Sequence, residues 1–408
     1  MRHTAILFAA MMAVHLFNMA YQMLVSRALP EEEYALLAAF LGVLAILARP
    51  LSTLATGVNH YSSLLHLEGR TGDVKRLLRK WLLLTGIPAL LLGGAVVLLN
   101  RPLAGFLHLN RFAPLLIAGA VLPALFWLPI LNGAAQGLQW FGWSSAATIF
   151  GALVRLSLGA GFVWFLYPAC GWAMLGHGLG MYVSVAMLLL GLLLMLRGQR
   201  KSESALPSLR FYLLQSFFIQ AAYAVLMTAD VVLVKHYLPE DTDFAYAATL
   251  GRMVVFLAGP VVAAMFPKVV SKGTATKRHH AIFFRSFGYT ALFVAAAVIG
   301  CTVFPGLLAR FLFGIRNAGD SLRMLIRLMA LVMGFSALLN VVVQFLLAQR
   351  RFVQASVIPG FALLYLAGAY LFHAASWQVA AGAAVCNGGV LLITLILIAR
   401  TKLHEPAE

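Results

Sequence analysis

Long apolar stretches separated by short polar segments make up almost the whole chain. A helix of about 20 apolar residues is long enough to cross a roughly 30 Å hydrocarbon layer, and such stretches recur about twelve times along the sequence. The pattern predicts an all-α polytopic membrane protein. The predicted spans are 4–28, 34–65, 81–99, 114–136, 143–167, 172–196, 211–237, 244–266, 287–308, 324–348, 353–372 and 379–399.

Composition supports this prediction and narrows the class of protein. Hydrophobic residues make up 62% of the 408 positions and charged residues 11%, which is outside the range of water-soluble globular chains. The first apolar stretch lacks the basic start, short apolar core and small-residue cleavage site that follow one another in a signal peptide, so we expect a retained span. Three cysteines, at widely separated positions, are too few for a disulfide framework or a metal site, and we expect them to be packing residues.

The distribution of basic residues predicts the orientation of the chain. The net charge is +17. If the N-terminus is cytoplasmic, nineteen Lys and Arg residues fall in inner segments and seven in outer segments, as the positive-inside rule requires. We therefore expect a multi-pass membrane protein with both termini in the cytoplasm. The basic clusters are topology signals first and contacts for anionic membrane lipids second, and they do not indicate nucleic acid.

The two halves of the chain resemble each other. Leu29-Pro30-Glu31 recurs as Leu238-Pro239-Glu240, and the amides Asn132 and Gln136 recur as Asn340 and Gln344. Pro50 likewise recurs as Pro260, and the shift is 208 to 210 residues in all of these places, which indicates an internal duplication. For the four amides, interhelical hydrogen bonds are a better explanation than recognition.

The duplication predicts two lobes of six helices, 1–203 and 204–408. Each lobe has an even number of spans, so the repeats are parallel, and a substrate site between them with alternating access is expected. No connecting segment is longer than about twenty residues, and no nucleotide-binding, zinc-protease or nucleophile-elbow motif is present. We therefore expect no enzyme activity, no catalytic residue, no cofactor and no metal.

Charged residues inside the predicted spans are unevenly matched. Arg49, Arg155, Arg252 and Arg327 lie within spans, whereas Asp230 is the one acid there. A charge at that depth costs about 2.5 kcal/mol or more unless it faces water or a partner. For Asp230 we keep two alternatives open, an ion pair with Arg252 or Lys235 and a role in ion coupling. Arg327 lies near the interface, where a headgroup contact suffices.

Polar side chains recur at helical spacing in three spans of the first lobe, and such faces predict a hydrated cavity. Pro50 follows Arg49 and is expected to bend its helix, as is Pro260 in the second lobe. The polar residues of these faces are His15, Asn18, Gln22 and Ser26 with Arg27 in span one, Ser52, Thr53, Thr56, Asn59 and His60 after Arg49, Ser144 and Thr148 before Arg155, and in span seven Ser216, Gln220, Tyr223 and Asp230.

Surplus guanidinium groups in a wet cavity favour an anionic ligand, because the forked donors of arginine match phosphate oxygens. We expect Arg49 to contact the substrate. Arg155 and Arg252 have either this role or a structural one, and Arg27 either contacts the substrate or reaches the outer headgroups. His15 and His177 are expected to be packing residues. The predicted substrate-binding set is Arg49, Arg252, Arg155, Arg27, Ser52, Thr56, Asn18 and Gln22.

These segments resemble a known superfamily. The stretches SRALPEEEYALLAAF, LNGAAQGLQWFG and MTADVVLVKHYLPEDTDFAYAATLGRMVVFLAGPVVAAMFPKV are similar to the oligosaccharide flippase branch of the multidrug/oligosaccharidyl-lipid/polysaccharide (MOP) exporters. The resemblance covers essentially the whole chain as many weakly matching positions. It implies two six-helix bundles in a V, a functional monomer, and flipping of a polyprenyl-diphosphate-linked oligosaccharide, with the diphosphate on cavity arginines such as Arg49, Arg252 and Arg27.

Two alternatives are weighed against this expectation. A cation-coupled multidrug exporter of the same superfamily needs intramembrane carboxylates, and predicted spans one to six contain none. Asp230 keeps ion coupling open. A membrane glycosyltransferase, from a different class, would be expected to have acids on a large outer loop for sugar chemistry, and the sequence has no such loop.

Overall fold

The computed structural model of the chain describes residues 2–109, 111–199, 210–256, 259 and 276–403. All regular secondary structure in these ranges is helical, so the predicted fold class is confirmed. The helices of the first half are α1 (Arg2–Ala28), α2 (Glu31–Leu67), α3 (Thr71–Leu98), α4 (Asn100–Phe106), α5 (Ala113–Gly137), α6 (Phe141–Phe165) and α7 (Cys170–Met195).

The second half repeats this order of long and short helices. Its helices are α8 (Arg210–Tyr237), α9 (Asp243–Phe256), α10 (Thr276–Val303), α11 (Pro305–Phe313), α12 (Asp320–Ala348), α13 (Phe352–Ala355), α14 (Val357–Leu371) and α15 (Ser376–Leu403). In both halves a short helix, α4 or α11, follows the third long one. The central helix of each half also has equivalent partners, since α5 packs against α2, α3 and α7, and α12 packs against α9, α10 and α15.

Backbone geometry follows the duplication at the end of each central helix. After α5, Gln139 has φ 60°, and after α12, Arg350 has φ 54°. The next amide donates back into the helix in both places, from Trp140 to the Ala135 carbonyl at 2.8 Å and from Arg351 to the Leu346 carbonyl at 2.9 Å. This is the left-handed helix cap that satisfies otherwise unpaired terminal carbonyls.

Ten helices in the described part of the chain are long and apolar enough to cross a membrane. The other two predicted spans correspond to α1 and α9. The described part of α9 ends at Phe256, and Pro260 with the rest of that span lies outside the described residues. Helix α2 continues through Pro50 to Leu67, and the predicted bend there stays a prediction.

The chain divides into two compact units, Met1–Leu214 and Gln215–Glu408, called lobe 1 and lobe 2 below. The boundary predicted at 203/204 falls in residues 200–209, outside the described ranges. The three cysteines, at positions 170, 301 and 386, are free and buried.

Glycines bring the helices of lobe 1 into close contact around the middle of α6. A Cβ placed on Gly176 of α7 would collide with the Gly159 backbone of α6, and one on Gly180 would collide with the Gly151 carbonyl. A Cβ on Gly159 would lie 2.6 Å from the Tyr21 ring of α1. Small residues of this kind let membrane helices pack backbone to backbone. The packing places Arg155, on α6 between Gly151 and Gly159, at the junction of α1, α6 and α7.

Candidate functional site

Two of the predicted site residues meet inside lobe 1. The Nη1 atom of Arg155 donates a hydrogen bond of 3.0 Å to Oδ1 of Asn18. The guanidinium carbon of Arg155 also lies 4.2 Å from the centroid of the Tyr21 ring, within the range of a cation–π interaction. The polar faces predicted for α1 and α6 are therefore in contact with each other.

Tyr21 is fixed from both ends of its side chain. The ring is fully buried, and its hydroxyl donates a hydrogen bond of 3.0 Å to the Ala173 carbonyl of α7. Sequence reasoning did not select this residue. Tyr21 is three residues from Asn18 and therefore on the same side of α1. This spacing from a predicted site residue was the signal that could have identified it.

The positive charge of Arg155 has only neutral partners in the described part of the chain. No carboxylate lies within salt-bridge distance of it there, since the ion pairs described involve other residues. Its Nε atom is buried and has no hydrogen-bond partner among the described residues. Removing a guanidinium from water without an opposite charge is costly. A ligand that supplies negative charge would lower this cost.

The polar stripe on α2 is only partly covered by the rest of lobe 1. Ser52, Thr56 and His60 are exposed, and Arg49 is partly exposed. The Ser52 hydroxyl donates to the Arg49 carbonyl at 2.6 Å. This hydrogen bond uses the hydroxyl proton on a backbone carbonyl three residues earlier in the helix. The lone pairs of Ser52 Oγ remain able to accept a hydrogen bond. The face predicted to line a cavity is therefore exposed on lobe 1, with Thr53 as its buried edge.

An amide chain links three helices of lobe 1. Asn59 Nδ2 of α2 donates to Gln136 Oε1 of α5 at 3.5 Å, and Gln136 Nε2 donates to Asn132 Oδ1 at 3.3 Å. Ser144 of α6 donates its hydroxyl to the same Asn132 oxygen. These bonds agree with the bundle-fixing role predicted for the two amides. In lobe 2 the equivalent Asn340 differs, because its Oδ1 is buried without a partner among the described residues.

Two further predicted residues of α1 lie near its C-terminal end. Arg27 is exposed and Gln22 is partly buried, while the Ser26 hydroxyl donates locally to the Met23 carbonyl at 3.1 Å. Exposure of Arg27 is compatible with both of its predicted roles, a headgroup contact and a substrate contact.

In lobe 2, Asp230 of α8 pairs with Arg252 of α9. The Nη2 atom of Arg252 lies 3.2 Å from Asp230 Oδ1, and the same oxygen accepts the Val231 amide at 2.7 Å. Of the two partners considered for this acid, the structure shows Arg252; Lys235 instead donates to the Pro239 carbonyl at 3.1 Å. Asp230 Oδ2 and Arg252 Nε are buried without hydrogen-bond partners among the described residues.

Lobe 2 also contains a buried polar network in which sequence reasoning selected Tyr223 but missed Ser336 and Asn387. Ser336 of α12 donates to Asn387 Oδ1 of α15 at 3.1 Å, and Asn387 Nδ2 donates to the Leu226 carbonyl of α8 at 3.0 Å. The Tyr223 hydroxyl donates to the Ser336 carbonyl at 2.9 Å. The signal was a lone asparagine in an otherwise apolar predicted span. Because every member has a partner, the network fixes the packing of three helices.

Arg327 and the two histidines named in the sequence analysis, His15 and His177, differ in exposure. Arg327 is exposed and its Nε donates to the Thr302 carbonyl of α10 at 3.1 Å. His15 and His177 are partly buried, and His177 Nδ1 has no partner among the described residues. No group of three or more His, Cys, Asp or Glu side chains that could hold a metal ion occurs in the described ranges.

Comparison with known proteins finds matches by structure but none by sequence. No family model matches the chain, and no curated protein matches it in sequence. Solved structures do match over nearly the whole length. The MATE multidrug transporter DinF-BH has a TM-score of 0.71 at 14% identity, over 97% of this chain and 94% of that one.

Two other solved structures extend this result. An outward-facing multidrug resistance MATE transporter of the MOP superfamily has a TM-score of 0.65 at 15% identity, over 99% of this chain and 97% of that one. A MOP superfamily transporter from Pyrococcus furiosus, described as having a binding pocket of reverse polarity, has a TM-score of 0.60 at 14% identity, over 98% of this chain and 95% of that one. The chain therefore has the multi-pass helical fold of MATE and other MOP superfamily transporters.

Proposed function

We propose that this protein is a transporter, and specifically a flippase that moves a polyprenyl-diphosphate-linked oligosaccharide from the inner to the outer leaflet by alternating access. The fold supports the transporter class, because the structures similar to it over nearly their whole length are transporters. The substrate class is inferred from the charges inside the lobes and from the resemblance of the sequence to oligosaccharide flippases.

The observation that carries the proposal is the imbalance of charge around Arg155. This guanidinium lies among helices α1, α6 and α7 with neutral partners, and the one acid predicted inside a span, Asp230, is already bonded to Arg252. A cationic substrate would find no spare carboxylate in these two places. An anionic substrate would find a cation whose desolvation it offsets.

We assign the anionic part of the substrate to Arg49, Arg155 and Arg252. Arg155 and Asn18 act together because they are hydrogen bonded. Arg49 acts with the exposed hydroxyls of Ser52 and Thr56 on the same helix, which can donate to the anion only by turning away from the backbone carbonyls to which they donate here. A diphosphate offers several oxygens, which suits more than one forked donor. Gln22 and Arg27 extend the set toward the outer end of α1.

Asp230 is proposed to modulate transport through Arg252. Its bond to Arg252 holds that guanidinium, while its second oxygen has no partner among the described residues. Protonation of Asp230 or cation binding to it would weaken the pair and release Arg252 for the substrate. The chain is proposed to work as a monomer in the bacterial inner membrane with both termini in the cytoplasm.

A cation-coupled multidrug exporter is the second candidate function. Two observations favour it, the fold shared with the multidrug transporter DinF-BH and the buried carboxylate oxygen of Asp230 without a partner among the described residues. The ion pair with Arg252 weighs against it, because a drug cation would have to displace an internal guanidinium.

The experiment that tests the proposal is a flipping assay in proteoliposomes. Wild-type protein is given lipid-linked sugars that carry a diphosphate, a monophosphate or no charge, together with a separate efflux assay for a cationic dye. We expect transport of the diphosphate-linked lipid well above the neutral one and no dye efflux. Equal transport of all three lipids would reject recognition of the diphosphate, and efflux of the dye would favour the second candidate.

A further inference from the structure

Helices α1 and α6 bring Asn18, Tyr21 and Arg155 into contact inside lobe 1. His177 lies on α7, the third helix at this junction. We propose that Arg155, Asn18 and His177 form an anion site that is complete within lobe 1, and that Tyr21 is the positioning residue of this site. The identification of the anion as a substrate phosphate rests on the proposed function, whereas the existence of the site does not.

His177 belongs to this cluster by its place on α7. It lies four residues after Ala173, whose carbonyl accepts the Tyr21 hydroxyl. It also lies three residues before Gly180, where an added Cβ would be 3.0 Å from the Cβ of Arg155. Residues three and four apart share one face of a helix. The imidazole is therefore on the face of α7 that packs against α1 and α6.

The cluster has more donors than the protein uses. Asn18 Oδ1 takes one Nη1 proton of Arg155, but the Nε edge of the guanidinium and Nδ1 of His177 are buried without partners among the described residues. A guanidinium is a donor at every nitrogen, and a neutral imidazole donates from one of its two nitrogens. An anion that bridges Nε of Arg155 and Nδ1–H of His177 would satisfy both groups.

The site is rigid before the anion arrives. Tyr21 is fully buried, its hydroxyl is anchored on α7, and its ring is next to the guanidinium. Close backbone contact between Gly159 and Gly176 fixes the distance between α6 and α7. A fixed cation loses little conformational entropy when the anion binds. Tyr21 thus orients Arg155 without touching the ligand.

The proposed ligand is a small anion that can accept hydrogen bonds. Two sources offer this chemistry, the phosphate groups of a lipid-linked substrate and a free inorganic anion. Both are tested with purified full-length protein in detergent. Binding of inorganic pyrophosphate and of the short lipid diphosphate geranyl diphosphate is measured by calorimetry. Crystals soaked in bromide show the position of a free anion through anomalous scattering.

The variants are Arg155→Gln, His177→Phe and Tyr21→Leu, and Arg101→Gln is the matched control. Arg101 is an exposed arginine on α4 of the same lobe. We expect Arg155→Gln to weaken anion binding about tenfold or more, which corresponds to the loss of one charge-assisted contact of about 1.4 kcal/mol or more. His177→Phe and Tyr21→Leu should weaken it several-fold, and Arg101→Gln should leave it unchanged. Arg155→Lys keeps the charge and covers the case in which Arg155→Gln fails to fold; we expect it to bind with intermediate affinity.

The outcomes separate the site from the proposed function. Competition between geranyl diphosphate and bromide at Arg155 supports a substrate phosphate site, and bromide beside Arg155 without competition supports a site for a free anion. Affinity that is the same in wild type, Arg155→Gln and His177→Phe, with no bromide beside Arg155, overturns the site. If the protein binds anions through Arg155 but flips no lipid, the proposed anion site stands and the proposed flippase function is rejected. Full flipping activity in Arg155→Gln would leave the flippase in place and reject this site as the one that holds the substrate phosphate.

Discussion

The guanidinium of Arg155 on α6 lies over the ring of Tyr21 on α1, with 4.2 Å between the guanidinium carbon and the ring centroid. The same tyrosine donates its hydroxyl proton to the Ala173 carbonyl of α7. A single buried side chain therefore connects three helices of lobe 1 and faces a cation whose other partner is the neutral Asn18. The pair explains how an arginine is held at membrane depth without a carboxylate.

The first prediction concerns the two functions of Tyr21. Tyr21→Phe keeps the ring beside Arg155 but removes the bond to the Ala173 carbonyl, and we expect a loss of about 1 kcal/mol of unfolding free energy. Tyr21→Leu also removes the ring and should cost about 1 to 2 kcal/mol more. Thermal unfolding in detergent, followed by tryptophan fluorescence, measures both. Equal stability of the two variants would mean that the ring contributes nothing to holding Arg155.

The second prediction concerns Arg49 and transport. Arg49→Ala should lower flipping of the diphosphate-linked lipid at least about tenfold, because one lost charge-assisted contact is worth about 1.5 to 3 kcal/mol. The readout is the initial rate in proteoliposomes, with unfolding temperature as a check on folding. Arg101→Ala, at an exposed position of α4, is the control and should flip at the wild-type rate. Full activity of Arg49→Ala would remove this residue from the substrate site.

The third prediction concerns the ion pair of lobe 2. Asp230→Asn leaves the guanidinium of Arg252 without its carboxylate, and breaking a buried pair from one side typically costs about 3 to 5 kcal/mol. The double variant Asp230→Asn with Arg252→Gln should regain part of that loss, because no buried charge is left without a partner. A double-mutant cycle of unfolding free energies gives the coupling. Additive effects would show that the 3.2 Å contact contributes no coupling energy.

The fourth prediction concerns the packing of α6 on α7. Gly176→Ala puts a methyl group onto the Gly159 backbone, so the helices must separate, and we expect destabilisation of about 1 to 3 kcal/mol. Gly161→Ala on α6 is the matched control, because an added Cβ there has no atom within 4 Å. The control should be neutral or slightly stabilising, since alanine favours helix more than glycine does. A stable Gly176→Ala variant would mean that the contact relaxes at no cost.

The fifth prediction concerns orientation. Single cysteines introduced as Lys75→Cys on α3 and Arg101→Cys on α4 are both at exposed positions, while the native cysteines are buried. In intact cells a membrane-impermeant maleimide should label the Arg101→Cys protein and leave the Lys75→Cys protein unlabelled. The reverse pattern would invert the topology inferred from the basic residues. Labelling after lysis should be equal for the two variants.

Sequence determined those features of this protein that depend on local composition. Long apolar stretches predicted the helices because the free energy of placing a stretch in lipid is nearly a sum over its own residues. The helical spacing of Asn18 and Arg155 on their own spans also predicted which faces are polar. The duplication predicted that the two halves contain equivalent elements, and the caps at Gln139 and Arg350 show the same left-handed geometry.

Only the tertiary structure decided which polar groups meet. Lys235 is five residues from Asp230 and Arg252 is 22 residues away, yet Arg252 is the partner, because the placement of α9 beside α8 and not chain distance brings the charges together. The residue types of Tyr21 and Asn387 did not by themselves reveal their roles. Those roles depend on hydrogen bonds to the carbonyls of Ala173 and Leu226. Hydrogen bonds and ion pairs act over a few ångströms, so their partners depend on how the helices are rotated and spaced.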